Sequence, residues 1–268
     1  MKMRRLFIIM TLVVSANFAV AQSGSEKILI PIRVPVPVPG ANGSLWSSSL
    51  LGRNNSSAKL MLGNVNVDCG GLLCPQALDM IAGTTYQIVP SGASDRSAAV
   101  VNVPAGRSFD LTLTLRVQDL SRQSQTWGSE VPIVRERDLR TGKFILLDIP
   151  ISASFRNTLR IYDIDGQANA RVALRLFALD PNGPSIVLGS KPDAFLGEQV
   201  IVLRPPAPGD TGRSPGYAEI GDLSQIAPLG NASKIAVEVE PLTPGLRIWS
   251  FVSVTNNETQ HVTIIAPD

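Results

Sequence analysis

The chain has 268 residues, with 24 Lys and Arg against 22 Asp and Glu, one His and two Cys. A charge so near balance gives bulk electrostatics little with which to hold nucleic acid or an anionic membrane. The length suits one large or two ordinary domains, and the 22 Gly and 20 Pro are spread evenly, as in short strands joined by tight turns.

The first stretch, MKMRRLFIIMTLVVSANFAVAQ, carries Lys2, Arg4 and Arg5 ahead of an apolar run from Leu6 to Ala16. That run has the length of a signal-peptide core and is too short for a membrane span. Ala19-Val20-Ala21 is a small-x-small cleavage site, so residues 1–21 are expected to be removed and the mature chain to begin at Gln22. Gln22, not a cysteine, stands directly after the site, which argues against a lipid anchor there. The leader holds three of the basic residues and no acid, leaving 21 basic against 22 acidic residues and a mature charge of −1. The expected product is secreted, periplasmic or extracellular, with no membrane span after cleavage.

Ile28 to Pro39 reads ILIPIRVPVPVP. Proline cannot donate to a β-ladder, so the repeated prolines predict an edge strand passing into polyproline II, with the alternate Ile and Val positions buried. A proline-rich ligand for some partner is the weaker reading. Ser44 to Leu62 and Arg156 to Leu179 then share a layout. In the second, Leu159 and Ile161 alternate with polar residues, a polar break follows from Asp163 to Asn169, and Val172, Leu174 and Leu176 alternate again. Asp-Gly is a favoured hairpin turn, so each stretch is expected to be a β-hairpin with one buried face. Trp46 falls where Phe155 does, Leu50 where Leu159 does, and Asn54 where Asp163 does.

Cys69 and Cys74, in CGGLLCP, read as a local disulfide of an exported protein. Closing so small a ring stabilises by only about 2 kcal/mol. Further strands are expected over Thr85–Val89, Phe109–Val117 and Glu130–Val134. Arg135 to Ile151 forms a charged linker whose apolar end packs between two modules, with a boundary near Ser152. Beyond it come strands over Ala194–Leu203, Ile235–Val239, Leu246–Val254 and Val262–Ile265. Arg204 to Gly216 is a Pro/Gly-rich loop, either for binding or disordered. Asp222 caps one helical turn.

Chemistry is sparse. A Ser-His-Asp or Cys-His site would have to use His261, and no nucleophile elbow, P-loop, dinucleotide fingerprint or HExxH accompanies it. Asp163-Ile164-Asp165-Gly166 with Asn169 only superficially resembles a calcium loop, lacking the full DxDxDG run and the distal glutamate. Glu130, Glu136, Asp148, Glu219 and Asp222 are acids that could serve a glycoside hydrolase, with nothing to select a pair. Trp46, Trp127 and Trp249 sit at strand edges or turns, where aromatics more often close a core than bind ligand. Asn42, Asn54, Asn55, Asn231 and Asn257 begin N-x-S/T triplets, for which no glycan is expected.

The strings WGSEVPIVRERD, FRNTLRIYDIDG and LTPGLRIWSFVSVTNNETQHVTIIAP, with the opening Gly40-Ala41-Asn42-Gly43-Ser44-Leu45-Trp46, resemble an uncharacterised group of exported tandem β-sandwich proteins from environmental bacteria. The resemblance implies immunoglobulin-like sandwiches and secretion, and it implies no reaction. The expected molecule is therefore all-β, with a signal peptide over 1–21 and two tandem antiparallel β-sandwich modules over 22–151 and 152–268. Its expected role is non-catalytic binding or scaffolding: adhesion, polymer or matrix contact, or a surface-assembly subunit. No cofactor or metal is expected, and its partner would be an extracellular protein or polymer. The alternative is a secreted hydrolase using acids from separate strands; a carrier or inhibitor of a secreted enzyme is a third possibility.

Overall fold

A computed structural model describes residues 24–68, 73–91, 98–122, 127–179 and 195–267. The fold is all-β and antiparallel, with several sheets and no barrel. The first part of the chain forms β1 (Ser25–Ile30), β2 (Val38–Pro39), β3 (Leu45–Asn54), β4 (Leu60–Asp68), β5 (Leu73–Met80), β6 (Thr85–Gln87), β7 (Val89–Pro90), β8 (Ala99–Pro104), β9 (Leu111–Asp119), β10 (Ser129–Val131) and β11 (Val134–Arg135). The remainder forms β12 (Phe144–Pro150), β13 (Phe155–Asp163), β14 (Arg171–Leu179), β15 (Phe195–Val202), β16 (Gly216–Ile220), β17 (Lys234–Pro241), β18 (Ile248–Asn256) and β19 (Val262–Ile265).

One sheet runs β11-β1-β8-β4-β5, with β7 beside β4, and faces a second that runs β10-β9-β3-β2, with β6 beside β3. A third runs β12-β17-β14-β15 and faces a fourth, β16-β13-β18-β19. The strand order of the first pair reappears in the second. β12, β17, β14 and β15 stand where β1, β8, β4 and β5 do, and β18 lies beside β13 as β9 lies beside β3. Registers agree too: Leu50 faces Leu115 and Asn54 faces Leu111, while Leu159 faces Val252 and Asp163 faces Ile248. An immunoglobulin constant domain groups its first, second, fourth and fifth strands. Here, counting from β12, the first strand joins the third, fourth and sixth.

Three sequence readings change. First, neither Ser44–Leu62 nor Arg156–Leu179 is a hairpin. β3 and β4 belong to different sheets, as do β13 and β14, so each stretch is an arch that crosses between layers. Alternation fixes which side chains point inward, and it does so equally for two strands in one sheet or in two facing sheets. Leu159, Ile161, Val172, Leu174 and Leu176 do all enter one core, from opposite walls. The polar break is shaped for the crossing. Buried Asp163 accepts the backbone N–H groups of Asp165 and Gln167, Gly166 takes φ 63°, and Ile164 and Ala170 point inward. Asn54 does the same job in the first arch, accepting the Ser56 N–H and donating to the carbonyls of Ala58 and Met80.

Second, Ile28–Ile30 is not an edge. β1 pairs with β8 along six residues and with β11 along two. The prolines begin where that pairing stops. Pro31 to Pro37 carry the chain across to the facing sheet, where Val34 and Ser48 exchange backbone and hydroxyl bonds. Ile32 is buried, whereas Val36 is 70% exposed. Third, the end of the expected linker is strand β12, paired with β17, and its Leu146 and Ile149 belong to the core between the third and fourth sheets.

The outward face of β13 and β18 is also buried. Tyr162, Trp249 and Phe251 join the core built by the first two sheets. Tyr162 stacks on Phe251, Trp249 tilts against Phe251, and the Tyr162 hydroxyl donates to the Pro31 carbonyl. The Arg204–Gly216 loop is a strap across the same junction. The Gly212 carbonyl accepts from the Asn64 amide at 2.6 Å, the Arg213 carbonyl accepts from the Val100 N–H at 2.7 Å, and a Cβ on Gly166 would meet the Pro206 ring at 2.7 Å.

Charge closes the rim of this junction. Asp165 lies between Lys27 at 2.7 Å and Arg247 at 2.8 Å, and Arg247 also reaches Glu136 at 3.3 Å. The hydrogen bonds from Arg247, with those from Lys27, hold the Asp165 carboxyl at about 2. An unfolded aspartate titrates near 4, so this contribution is complete above about pH 4 and is lost as pH falls toward 2. After allowance for solvent screening it amounts to about 1 kcal/mol. Melting the protein at pH 7 and pH 2.5 should therefore show a smaller acid-induced drop for Asp165→Asn than for the wild type; equal drops would remove the rim network from the acid response.

Candidate functional site

Where β12 turns into β13, the Phe155 N–H donates to the Ser152 carbonyl and the chain folds back on itself. Alternation along β13 then sends Phe155 and Asn157 to the same side as Leu159, toward the interior, at the open end of the layer pair. The Asn157 amide donates to the Pro150 carbonyl at 2.7 Å, while its Oδ1 is buried with no hydrogen-bond partner. On the opposite wall, β16 ends at Ile220 and Asp222 caps a short 3-10 turn, Leu223–Gln225, by accepting the Ser224 N–H at 2.9 Å. Leu223 is buried beneath that turn. Between the walls lies a groove of about 490 Å³, lined by Ile151, Phe155, Asn157, Asp222, Leu223 and Leu229 among others. Its volume is that of a small-molecule site.

Arg156 also borders this groove, but its alternation is opposite to that of Phe155 and Asn157. Its guanidinium is held at 2.8 Å by both Asn257 Oδ1 and Gln260 Oε1. The groove's polar lining is mixed: Ser152, Arg156 and the Asp222 carboxylate border it, and the Asn157 amide oxygen lies sealed behind its wall. Asp222 forms no ion pair among the described residues.

The other acids singled out in the sequence do not converge. Glu130 lies 3.7 Å from Arg116, Glu136 pairs with Arg247, Asp148 with Lys234 at 2.6 Å, and Glu219 with Arg160 at 2.8 Å. Glu136 shares a different groove with Glu26, Phe109 and Arg137, where the Arg137 guanidinium stacks 4.3 Å above the Phe109 ring. Glu198, Glu238 and Glu240 surround Arg175, whose guanidinium is held charged by those hydrogen bonds.

His261 is exposed, in the turn that holds Arg156. Asp163 is spent on backbone N–H groups, and burial pushes its carboxyl up; Asp165 is spent on Lys27 and Arg247. Among the described residues no three of His, Cys, Asp and Glu gather as a metal site, and no helix is long and apolar enough to cross a membrane. Of the tryptophans, Trp249 is buried in the junction, Trp46 packs on the first core, and Trp127 is 78% exposed. The Cys69–Cys74 disulfide lies outside the described residues, since Cys69 and the Cys74 side chain are not among them.

Sequence reasoning placed Asp222 as a cap and missed Asn157, whose polar character at an inward position of β13 was the available signal. Comparison of the chain with family models, with curated proteins and with solved structures gives no match.

Proposed function

We propose that this is an exported, non-catalytic binding or scaffolding protein made of two tandem β-sandwich units, the second starting at β12 rather than at Ser152. The observation that carries the reading is the junction. The outer face of β13 and β18 is buried in the first core, strapped by residues 204–216 and rimmed by the Asp165 ion pairs. Two units joined in this way present one rigid surface, which suits holding a partner at a fixed geometry rather than closing around a substrate. The leader over 1–21, the near-neutral mature charge and the Cys69/Cys74 spacing support a role outside the cytoplasm, with an extracellular protein or polymer as partner.

Two measurements test this. Protein recovered from outside the cytoplasm should begin at Gln22; retention of the full leader in the membrane overturns export. Mature protein incubated with insoluble cell-wall polysaccharide and peptidoglycan should sediment with at least one of them and release no soluble sugar or peptide. Time-dependent release would instead establish the hydrolase alternative.

A further inference from the structure

Most sheet edges in this molecule are closed to a further strand. β5 carries Pro75, β2 carries Pro39, and β12 is bulged, with Asp148 at φ 61°. β11 has only two residues, and β16 is bridged by Arg204 through Tyr217. β19 lies against β10, where the Ser129 hydroxyl donates to the Val262 carbonyl. β15 has none of these devices. It pairs with β14 on one side and with nothing on the other among the described residues. It holds no proline and no lysine, and its one irregularity falls at its start, beside Leu196. The Leu203 N–H donates to the Ala170 carbonyl, so antiparallel alternation turns the backbone of Ile201 and Gln199 toward β14 as well. The N–H and C=O groups of Glu198, Val200 and Val202 therefore face the open edge. Their side chains are exposed, and so is Gln199 on the opposite face of the strand.

We propose that a second copy of this chain adds to β15 as an antiparallel strand, joining their two four-stranded sheets into one continuous sheet. The two-fold axis passes through Val200. Val200 meets Val200 of the second copy, and Glu198 and Val202 pair reciprocally, with about six backbone hydrogen bonds in all. Charge is what selects a second copy. Within one sheet Val202 lies opposite Arg171, while Glu198 lies opposite Arg175, with Glu238 beyond. Setting Val202 against Glu198 of the second copy leaves Arg171 two strands, about 10 Å, from that carboxylate. Arginine and glutamate side chains span that distance together. Arg171 is exposed and forms no ion pair among the described residues. The row across the joint then alternates in sign, from Arg171 to the second copy's Glu198, Arg175 and Glu238. An axis at Glu198 would set like charges together. An axis at Val202 would run past the end of the strand, where Arg204 turns to Tyr217. The pairing uses no residue of the junction and does not depend on the polymer reading.

Sedimentation velocity of the mature chain between about 1 and 100 µM should show monomer passing to dimer. Over the same range, amide hydrogen exchange at Glu198, Val200 and Val202 should slow about 10-fold, whereas Gln199 and Ile201, already turned to β14, should hold steady. Val200→Pro removes an N–H that faces the open edge and takes no bond from the sheet. Val200→Lys puts two ammonium groups together on the axis. Each should weaken the dimer at least about 10-fold while the monomer keeps its fold by circular dichroism. Arg171→Glu should weaken it about fivefold. Val36→Lys, on the exposed proline segment, should leave it unchanged. The proposal is overturned if the chain stays monomeric throughout, or if a dimer forms that both Val200 variants leave intact. It is also overturned if the exchange protection lies on another strand, or if Arg171→Glu has no effect.

Discussion

Tyr162→Ala should destabilise the protein by about 4 kcal/mol, the cost of deleting a fully buried aromatic ring. The ring fills space between the two cores' sheets, against Phe251. Tyr162→Phe separates packing from bonding. It keeps the ring and removes only the hydroxyl, leaving the buried Pro31 carbonyl without its donor, and should cost about 1–3 kcal/mol. Denaturant melts of both variants measure the two quantities. If Tyr162→Ala costs less than about 1 kcal/mol, the junction is not a packed core.

Residues 140–268 expressed alone should fold but self-associate, and residues 152–268 should fail to fold. The longer piece retains β12, with Leu146 and Ile149 in the core and the Arg140–Ile248 backbone pair. The shorter piece loses both buried side chains, worth about 2–5 kcal/mol each, and bares one edge of β17. Either piece exposes Tyr162, Trp249 and Phe251 together, an apolar patch of the kind that drives association. Circular dichroism reports the folding, and sedimentation velocity reports the association. A monomeric, cooperatively melting 152–268 would show that β12 is dispensable and that the aromatic face tolerates water.

How far the sequence foretold this can be judged from particular residues. Of the alternating Leu111, Leu113, Leu115 and Val117, all but Leu113 are buried, and Leu113 is half-buried against the same core. Asn54 and Asp163 were matched by position alone, and each accepts the backbone N–H two residues further on. The arches themselves were misread because period two describes a strand's faces and is silent about its neighbour in the sheet. Tyr162 and Phe251 were hidden for a related reason: their outward alternation reads as solvent-facing, and only a second layer of protein buries them. A signal did exist, since Tyr162 lies opposite Trp249 in the ladder and an outward aromatic cluster asks for a cover. The 204–216 strap had no such signal, because it binds through the Gly212 and Arg213 carbonyls, which any residues would supply. The groove was invisible because Asn157 and Asp222 are 65 positions apart in the chain.

The junction also dictates an order of events during synthesis. Pro31 and Ile32 are made early, whereas Trp249 and Phe251, which share their core, come more than 200 residues later. β1 likewise waits for Val100 and its neighbours before it has a ladder partner. A chain emerging from its N-terminus therefore carries an uncovered apolar floor until almost all of it exists, and closing so long a loop is slow. Nascent chains halted before Trp249 should be cut readily by added protease and held by chaperones, and resistance should arrive abruptly once β18 is out. The strand that completes the first core is thus among the last to be delivered.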